Sequence, residues 1–185
     1  MRVLLLCLML CLPALGVCRT VAGVDLPESI QVEQQTLTLN GAGIRSKYFM
    51  DVYVAGLYLP SASTDARAIV SADAPQSMQL TIISSHITRS RLIDTIEDGI
   101  KLSAGKDFPR YQPMLKELWD ALTFEVKVGD RFEFTYLPGK GTHFYRNGAL
   151  LRVLPEFDFK KVLFGIWLGE EPVQPPLKKA LLGGR

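Results

Sequence analysis

The sequence predicts an α+β domain in which helices pack on one face of a large antiparallel sheet. Strand-like patterns dominate the chain and follow one another through turn signals, as the strands of successive hairpins do. Helix-like patterns fall into one block in the middle and a second block at the C-terminus. A regular alternation of strands and helices is missing, which argues against a doubly wound parallel sheet.

The first strands are predicted between residues 30 and 60. Residues 30–33 and 36–39 form two short strands, because apolar and polar side chains alternate there. Residues 40–43 (Asn-Gly-Ala-Gly) are expected to form a tight reversal, since asparagine and glycine tolerate positive φ. A long strand is then predicted over residues 48–59, where β-branched and aromatic residues are frequent.

The middle of the chain carries most of the helix signals. Thr88 is a suitable N-cap for a helix whose apolar residues repeat at helical spacing. This stripe consists of Leu92, Ile93, Ile96 and Ile100. The elements predicted here are a helix at 65–71, a strand at 78–84 and helices at 89–102 and 113–122.

The C-terminal half returns to strand patterns and closes with helices. The Asn-Gly pair at 147–148 is the strongest hairpin signal in the chain. Asp158 is expected to cap a helix that follows it, and a short final helix is expected after Pro175-Pro176. The elements predicted here are strands at 124–128, 131–137, 142–146 and 150–154 and a helix at 159–168.

The N-terminus has the features of a signal peptide. Residues 1–22 combine a short basic start, an apolar core at 3–17 and small residues for cleavage near 16–22. The apolar core is too short for a transmembrane helix, so no stable membrane insertion is expected after cleavage. The remaining residues 23–185 are predicted to form one domain that is exported, and periplasmic if the source is a Gram-negative bacterium. Cys18 leaves a lipid anchor open as an alternative.

Composition excludes several classes of function. The net charge is only +2 and no basic stripe is visible, so no nucleic-acid partner is expected. All three cysteines lie in or beside the leader, and there are only two histidines, so no metal site is predicted. Nucleotide-binding glycine motifs and hydrolase motifs are missing, and no cofactor is predicted. The oligomeric state is left open.

Arg45 is the first candidate site residue. It stands at the start of a long apolar and aromatic run, where a guanidinium requires a partner. Its planar fork suits a carboxylate or an enolate-like oxygen, and the phenol of Tyr53 could donate to the same anion. In the alternative, Arg45 pairs with Asp51 or another carboxylate of the sheet, and Tyr53 is a core residue whose hydroxyl reaches the rim.

The separation of Arg45 and Tyr53 is an obstacle to a shared ligand. Eight residues of continuous strand would place their Cα atoms about 26 Å apart. The two side chains can meet one ligand only if the chain turns or bulges between residues 46 and 49. No glycine or proline marks such a turn.

Six segments together resemble the chalcone isomerase-like family. They are AGV at 22–24 with Leu26-Pro27, LNGAGIRSKYF at 39–49, VYVAGLYLP at 52–60, LIDTIEDGI at 92–100, YLPGKGT at 136–142 and IWLGEEPVQPPLKKALLG at 166–183. Their order and spacing are similar to the exported bacterial branch of that family. The resemblance implies an open-faced β-sandwich, in which helices cover one face of a large antiparallel sheet beside a ligand cleft.

The resemblance also implies which reactions and ligands to expect. Plant members cyclise chalcones, and Arg45 matches their catalytic arginine. Tyr53 replaces a threonine of those enzymes, while Arg91, Asp98 and Ile166 lie near their expected tyrosine, asparagine and serine or threonine. The non-catalytic, fatty-acid-binding members are more similar, since they hold the ligand carboxylate with an arginine and a tyrosine.

The sequence therefore predicts an exported, non-catalytic protein that binds a fatty acid or a similar apolar carboxylate through Arg45 and Tyr53. Two alternatives stay open. One is an isomerase, an intramolecular lyase of the chalcone isomerase type, in which Arg45 stabilises the anion formed from an enone substrate. The other is an interaction protein of the cell envelope that has no ligand.

Overall fold

A computed structural model describes residues 18–184, and its strands pair almost entirely in sequence order. The strands are β1 (Cys18–Val21), β2 (Val24–Pro27), β3 (Ser29–Val32), β4 (Gln35–Lys47), β5 (Met50–Leu59), β6 (Gln76–Ile82), β7 (Arg131–Leu137), β8 (Gly141–Arg146) and β9 (Ala149–Leu154). Strands β3 to β9 form one antiparallel sheet of seven strands, each beside its neighbours in sequence. Strands β1 and β2 form a separate hairpin.

Five α-helices complete the described part of the chain. They are α1 (Ala66–Ser71), α2 (Arg89–Ala104), α3 (Phe108–Asp120), α4 (Phe157–Leu168) and α5 (Pro175–Leu181). Buried side chains of all five helices join those of β5 to β9 in one hydrophobic core. The predicted α+β fold, an antiparallel sheet with helices packed on one face, is confirmed.

The opposite face of the sheet is covered in part by the β1–β2 hairpin. Leu26 of β2 is buried there and reaches the sheet beside Gly56, where an added Cβ would lie 3.3 Å from the leucine. Val54 and Tyr58, two positions before and after Gly56 on β5, are also buried. This small second layer gives the sheet its open-faced sandwich form.

Two local predictions at the start of the sheet are wrong. Residues 40–43 do not reverse the chain, because they lie inside the thirteen-residue strand β4. The glycines there allow close packing of α5 instead, since a Cβ at Gly43 would lie 2.8 Å from the Ala180 Cβ. The predicted strand over residues 48–59 begins at Met50, because residues 48 and 49 form the turn between β4 and β5.

Three predictions in the second half also need correction. Residues 124–128 form no strand. Helix α3 begins at Phe108, not at residue 113, and Pro109 occupies its first turn, where a missing N–H does not break an intrahelical hydrogen bond. Asp158 lies inside the first turn of α4, while Glu156 holds the N-cap position without a side-chain hydrogen bond. The Asn147-Gly148 hairpin and the Thr88 N-cap are confirmed.

The predicted leader lies almost wholly outside the described residues. Residues 1–17 lie outside the described part of the chain, and residues 18–21 form β1. In the part of the chain that the structure describes, no helix has the length and apolarity needed to cross a membrane. The division into residues 1–22 and 23–185 stays a prediction.

Two buried ionisable groups have direct hydrogen-bond partners. Lys160 on α4 is fully buried and donates to the carbonyls of Ile69, Val70 and Ala72 at 2.7–3.1 Å. Burial lowers the pKa of Lys160 to about 8. The Lys160 ammonium group therefore caps the C-terminal end of α1 and replaces water as the donor to its carbonyls.

Asp130 lies before β7 and is held by three donors. Burial alone would raise the pKa of this carboxyl group. Hydrogen bonds from the Arg146 and Asn147 side chains and from the Lys127 backbone N–H outweigh that effect and keep the pKa below its ordinary value. The carboxylate thereby ties the segment before β7 to the β8–β9 hairpin.

Candidate ligand-binding site

Strands β4 and β5 are joined by a tight turn that no glycine or proline in the sequence marks. Lys47 pairs with Met50, so Tyr48 and Phe49 are the two loop residues, with φ angles of 50° and 65°. A one-residue register shift between Arg45 and Ser46 then places Arg45 directly opposite Tyr53 instead of Val52. Directly paired residues project from the same face of a sheet, with Cβ atoms about 5 Å apart. The two predicted site residues are therefore neighbours.

The Arg45 guanidinium is half-buried and has no carboxylate partner among residues 18–184. Its Nη1 donates to the Ser46 carbonyl and, at 3.3 Å, to the Gln174 Oε1, while its Nε is buried and has no hydrogen-bond partner in the described part of the chain. Asp51 instead accepts a hydrogen bond of 2.7 Å from the Ser46 hydroxyl. The alternative pairing of Arg45 with Asp51 is not formed.

The Tyr53 hydroxyl is buried beside this guanidinium. It accepts a hydrogen bond of 2.9 Å from the Trp167 Nε1 on α4. Burial raises the pKa of Tyr53 to about 12, and the Trp167 hydrogen bond and the Arg45 charge oppose that shift only in part. Tyr53 is therefore a neutral phenol near pH 7. Within the described residues, no group accepts a hydrogen bond from the Tyr53 hydroxyl.

A cavity of about 270 Å³ lies at the same end of β5. Its wall is mostly apolar and is formed by the β4–β5 hairpin, the β6–α2 connection and the first turns of α2. Residues that line it include Met50, Val52, Ile87, Lys47, His86 and Arg91. Arg45 and Tyr53 do not line it, although Val52 precedes Tyr53 in the chain. The cavity and the Arg45–Tyr53 pair are thus adjacent places along β5.

The other positions suggested by the family resemblance are distributed differently. Arg91 lines the cavity, and its Nη1 donates to the His86 carbonyl at 2.7 Å. Asp98 lies on the outer side of α2 near Lys101. Ile166 is buried against Gly99, where an added Cβ would lie 2.7 Å from the isoleucine Cγ2. Only Arg91 of these three reaches the cavity.

Sequence reasoning missed two polar residues of this region. Trp167 and Gln174 come from the end of α4 and the connection to α5, more than 110 residues after Tyr53. Their segment belongs to the C-terminal stretch that resembles the family, which was the one available signal. Among residues 18–184 there is no group of three or more histidine, cysteine, aspartate or glutamate side chains placed to hold a metal ion.

Comparison with known families agrees with this architecture. The family model described as chalcone isomerase-like matches residues 18–183. The chain belongs to the chalcone isomerase-like family. The predicted family assignment is thereby confirmed over almost the whole described region.

A solved structure supports the fold of this chalcone isomerase-like protein. The crystal structure of a fatty-acid-binding protein from Arabidopsis thaliana aligns with a TM-score of 0.70, covering 90% of this chain and 95% of the plant chain. The sequences are 16% identical, so the similarity establishes the fold alone. A comparison with curated proteins finds no match.

The chemistry available at this end of the chalcone isomerase-like domain is anion binding beside an apolar wall. Arg45 offers a charge without a carboxylate, and Tyr53 offers a neutral donor. Lys47 and Arg91 add two positive charges at the cavity, against one negative charge from Asp94. Such a combination can stabilise an anionic oxygen carried by an apolar molecule.

Proposed function

We propose that this protein binds an apolar carboxylate, with a fatty acid as the expected class. The observation that carries the proposal is the pairing of Arg45 with Tyr53. A buried guanidinium nitrogen without a partner faces the same side of the sheet as a phenol whose proton has no acceptor within residues 18–184. A single carboxylate between them would satisfy both donors, and buried donors are normally satisfied.

The Gln174 side chain supports this assignment. Its Oε1 accepts hydrogen bonds from the Ser46 backbone N–H at 3.0 Å and from the Arg45 Nη1 at 3.3 Å. A neutral amide oxygen thus occupies a position suited to a carboxylate oxygen. A carboxylate would add a full negative charge to this contact and can accept two parallel hydrogen bonds from a guanidinium, so it can displace the neutral amide.

The apolar part of the ligand would lie in the cavity. Ligand pockets in proteins typically measure about 300–1,000 Å³, and the cavity is about 270 Å³. In its present form it therefore suits a short chain or the first part of a longer one. Val52 lines the cavity whereas Arg45 and Tyr53 do not, so binding one ligand in both places includes a local movement near Val52.

Ligand titration with matched variants tests the proposal. Fatty acids of increasing chain length are titrated by calorimetry into the delipidated protein, and lipids that co-purify are identified by mass spectrometry. We expect Arg45→Met to weaken binding roughly tenfold to a hundredfold, since a hydrogen bond to a charged group contributes about 1.5–3 kcal/mol. Arg67→Met is the control, because Arg67 is an exposed arginine on α1 that pairs with Glu170.

Two results would overturn the proposal. One is a folded Arg45→Met variant that binds fatty acids as tightly as the unmodified protein. The other is a protein that binds no fatty acid of any length. Turnover of a chalcone or another enone that disappears in Arg45→Met would favour the isomerase alternative instead.

We further propose that the protein is exported. Residues 1–22 carry the basic start, apolar core and small residues of a signal peptide. Mass spectrometry of the protein from separated cell fractions tests this. Export predicts a chain that begins near residues 16–22 and lies outside the cytoplasm. An intact Met1 in the cytoplasmic fraction would contradict it, and a mass increase of a diacylglyceryl group on Cys18 would support the lipid-anchor alternative.

A further inference from the structure

The tip of the β4–β5 hairpin is exposed and aromatic. We call it the aromatic tip and define it as Tyr48, Phe49 and Met50. Their exposed fractions are 79%, 108% and 43%. Isolated apolar residues are common on protein surfaces, but two adjacent aromatic rings that protrude from a narrow turn form a contact surface.

The backbone of the aromatic tip is unfavourable for the residues it carries. Tyr48 and Phe49 both adopt positive φ, at 50° and 65°, which bulky side chains rarely do. The β8–β9 hairpin makes the same kind of two-residue turn with Asn147 and Gly148, at 50° and 81°. Asn-Gly is the favourable choice for such a turn. The aromatic pair therefore needs a reason other than folding the hairpin.

We propose that the aromatic tip docks the protein on a lipid bilayer surface. A two-residue turn is narrow enough to insert its rings among lipid headgroups without a matching groove, and tyrosine favours the boundary between apolar and aqueous phases. The Lys47 Nζ lies 5.6 Å from the centre of the Tyr48 ring and can reach the lipid phosphates. Asp51 is the acidic residue nearest to the tip in sequence, and its carboxylate accepts a hydrogen bond from the Ser46 hydroxyl.

The position of the cavity supports a lipid bilayer as the partner of the aromatic tip. Lys47, Tyr48 and Met50 belong both to the hairpin end and to the cavity wall. A tip inserted at the surface would hold the cavity beside the apolar phase from which an apolar carboxylate must leave. This part of the argument rests on the proposed function, whereas docking itself requires no bound ligand.

The test is co-sedimentation of the ligand-free protein with vesicles of phosphatidylcholine, with and without phosphatidylglycerol. We expect Phe49→Gly to weaken vesicle binding roughly tenfold, since a phenylalanine that leaves the apolar phase loses most of its transfer energy. Its melting temperature is expected to equal or exceed that of the unmodified protein, because glycine accepts positive φ. Leu150→Ser is the control, since Leu150 is an exposed apolar residue on β9.

The possible outcomes separate docking from ligand binding. Phe49 does not line the cavity, so fatty-acid affinity in vesicle-free buffer is expected to stay unchanged in Phe49→Gly. Vesicle binding that is lost in this variant and kept in Leu150→Ser supports docking, whether or not fatty acids bind. Vesicle binding that persists in Phe49→Gly overturns it, as does an unmodified protein that does not sediment. A dimer that dissociates in Phe49→Gly, without vesicle binding, would assign the tip to a second copy of the chain.

Discussion

The hydrogen bond between Trp167 and Tyr53 determines how much of the candidate site is structural. Tyr53→Phe removes the acceptor and leaves the indole N–H buried without a partner, because both residues are almost completely buried. An orphaned buried donor costs about 1–3 kcal/mol of folding free energy. For a domain of this size, that corresponds to a decrease in melting temperature of about 2–12 °C.

Chemical and thermal unfolding measure this effect. Tyr145→Phe is the matched control, since the Tyr145 hydroxyl makes no hydrogen bond to another residue in the described part of the chain; its free energy of unfolding should change by less than about 0.5 kcal/mol. A double-mutant cycle with Trp167→Phe then isolates the pair, and we expect a coupling energy of roughly 1 kcal/mol. If Tyr53→Phe is as stable as the control, the hydrogen bond does not stabilise the protein and the reasoning fails.

The same variant separates the structural role of Tyr53 from its role in binding. A neutral donor contributes about 0.5–1.5 kcal/mol, so fatty-acid affinity should fall roughly twofold to tenfold in Tyr53→Phe. The decrease should be smaller than in Arg45→Met, which removes a charge. Equal affinity in Tyr53→Phe and the unmodified protein would leave Arg45 as the sole anchor of the carboxylate.

Three further predictions concern the surroundings of the site. Gln174→Ala removes the amide that occupies the Arg45 fork, so calorimetry should show tighter fatty-acid binding, by several fold; weaker binding would mean that Gln174 contacts the ligand. Lys160→Met removes the lysine donor from the carbonyls of Ile69, Val70 and Ala72 and should lower the free energy of unfolding by about 2 kcal/mol, while an unchanged midpoint in urea would contradict this. The lowered pKa of Asp130 stabilises the fold above about pH 4. That contribution should be lost as pH falls through the folded-state pKa, and Asp130→Asn should flatten this part of the stability profile.

The antiparallel sheet could be predicted because its evidence is local. Alternating side chains on β7 and the Asn-Gly turn between β8 and β9 are features of a few consecutive residues. Thr88 is a comparable case, since its hydroxyl accepts from the Arg91 N–H only three residues later. Such signals do not depend on what else packs nearby.

The glycines of β4 show why other elements could not be predicted. Asn-Gly-Ala-Gly at 40–43 has the chemistry of a turn, yet Gly41 and Gly43 lie in a strand against α5. The reason is a contact with residues about 140 positions later, where a side chain on the strand would overlap Leu181 and Ala180. Local chemistry allows both uses of glycine, and only the tertiary contact decides between them.

The candidate site divides in the same way. Arg45 and Tyr53 could be named from residue type and from the family resemblance. Their partners Trp167 and Gln174 could not, because each reaches the site through the packing of the C-terminal helices on the sheet. The cavity is equally non-local, since β5, the β6–α2 connection and α2 each supply part of its wall.

The β4–β5 turn affects both the pairing of Arg45 with Tyr53 and the exposure of the aromatic tip. The reversal at residues 48–49 and the register shift between Arg45 and Ser46 together bring Arg45 opposite Tyr53, and any two-residue turn of this geometry would be compatible with that pairing. Asn-Gly would do so with less backbone strain, as it does between β8 and β9. Pairing of the two site residues therefore accounts for the turn but not for its aromatic side chains. Those side chains require a function of their own, and the proposed contact with a bilayer beside the cavity provides one.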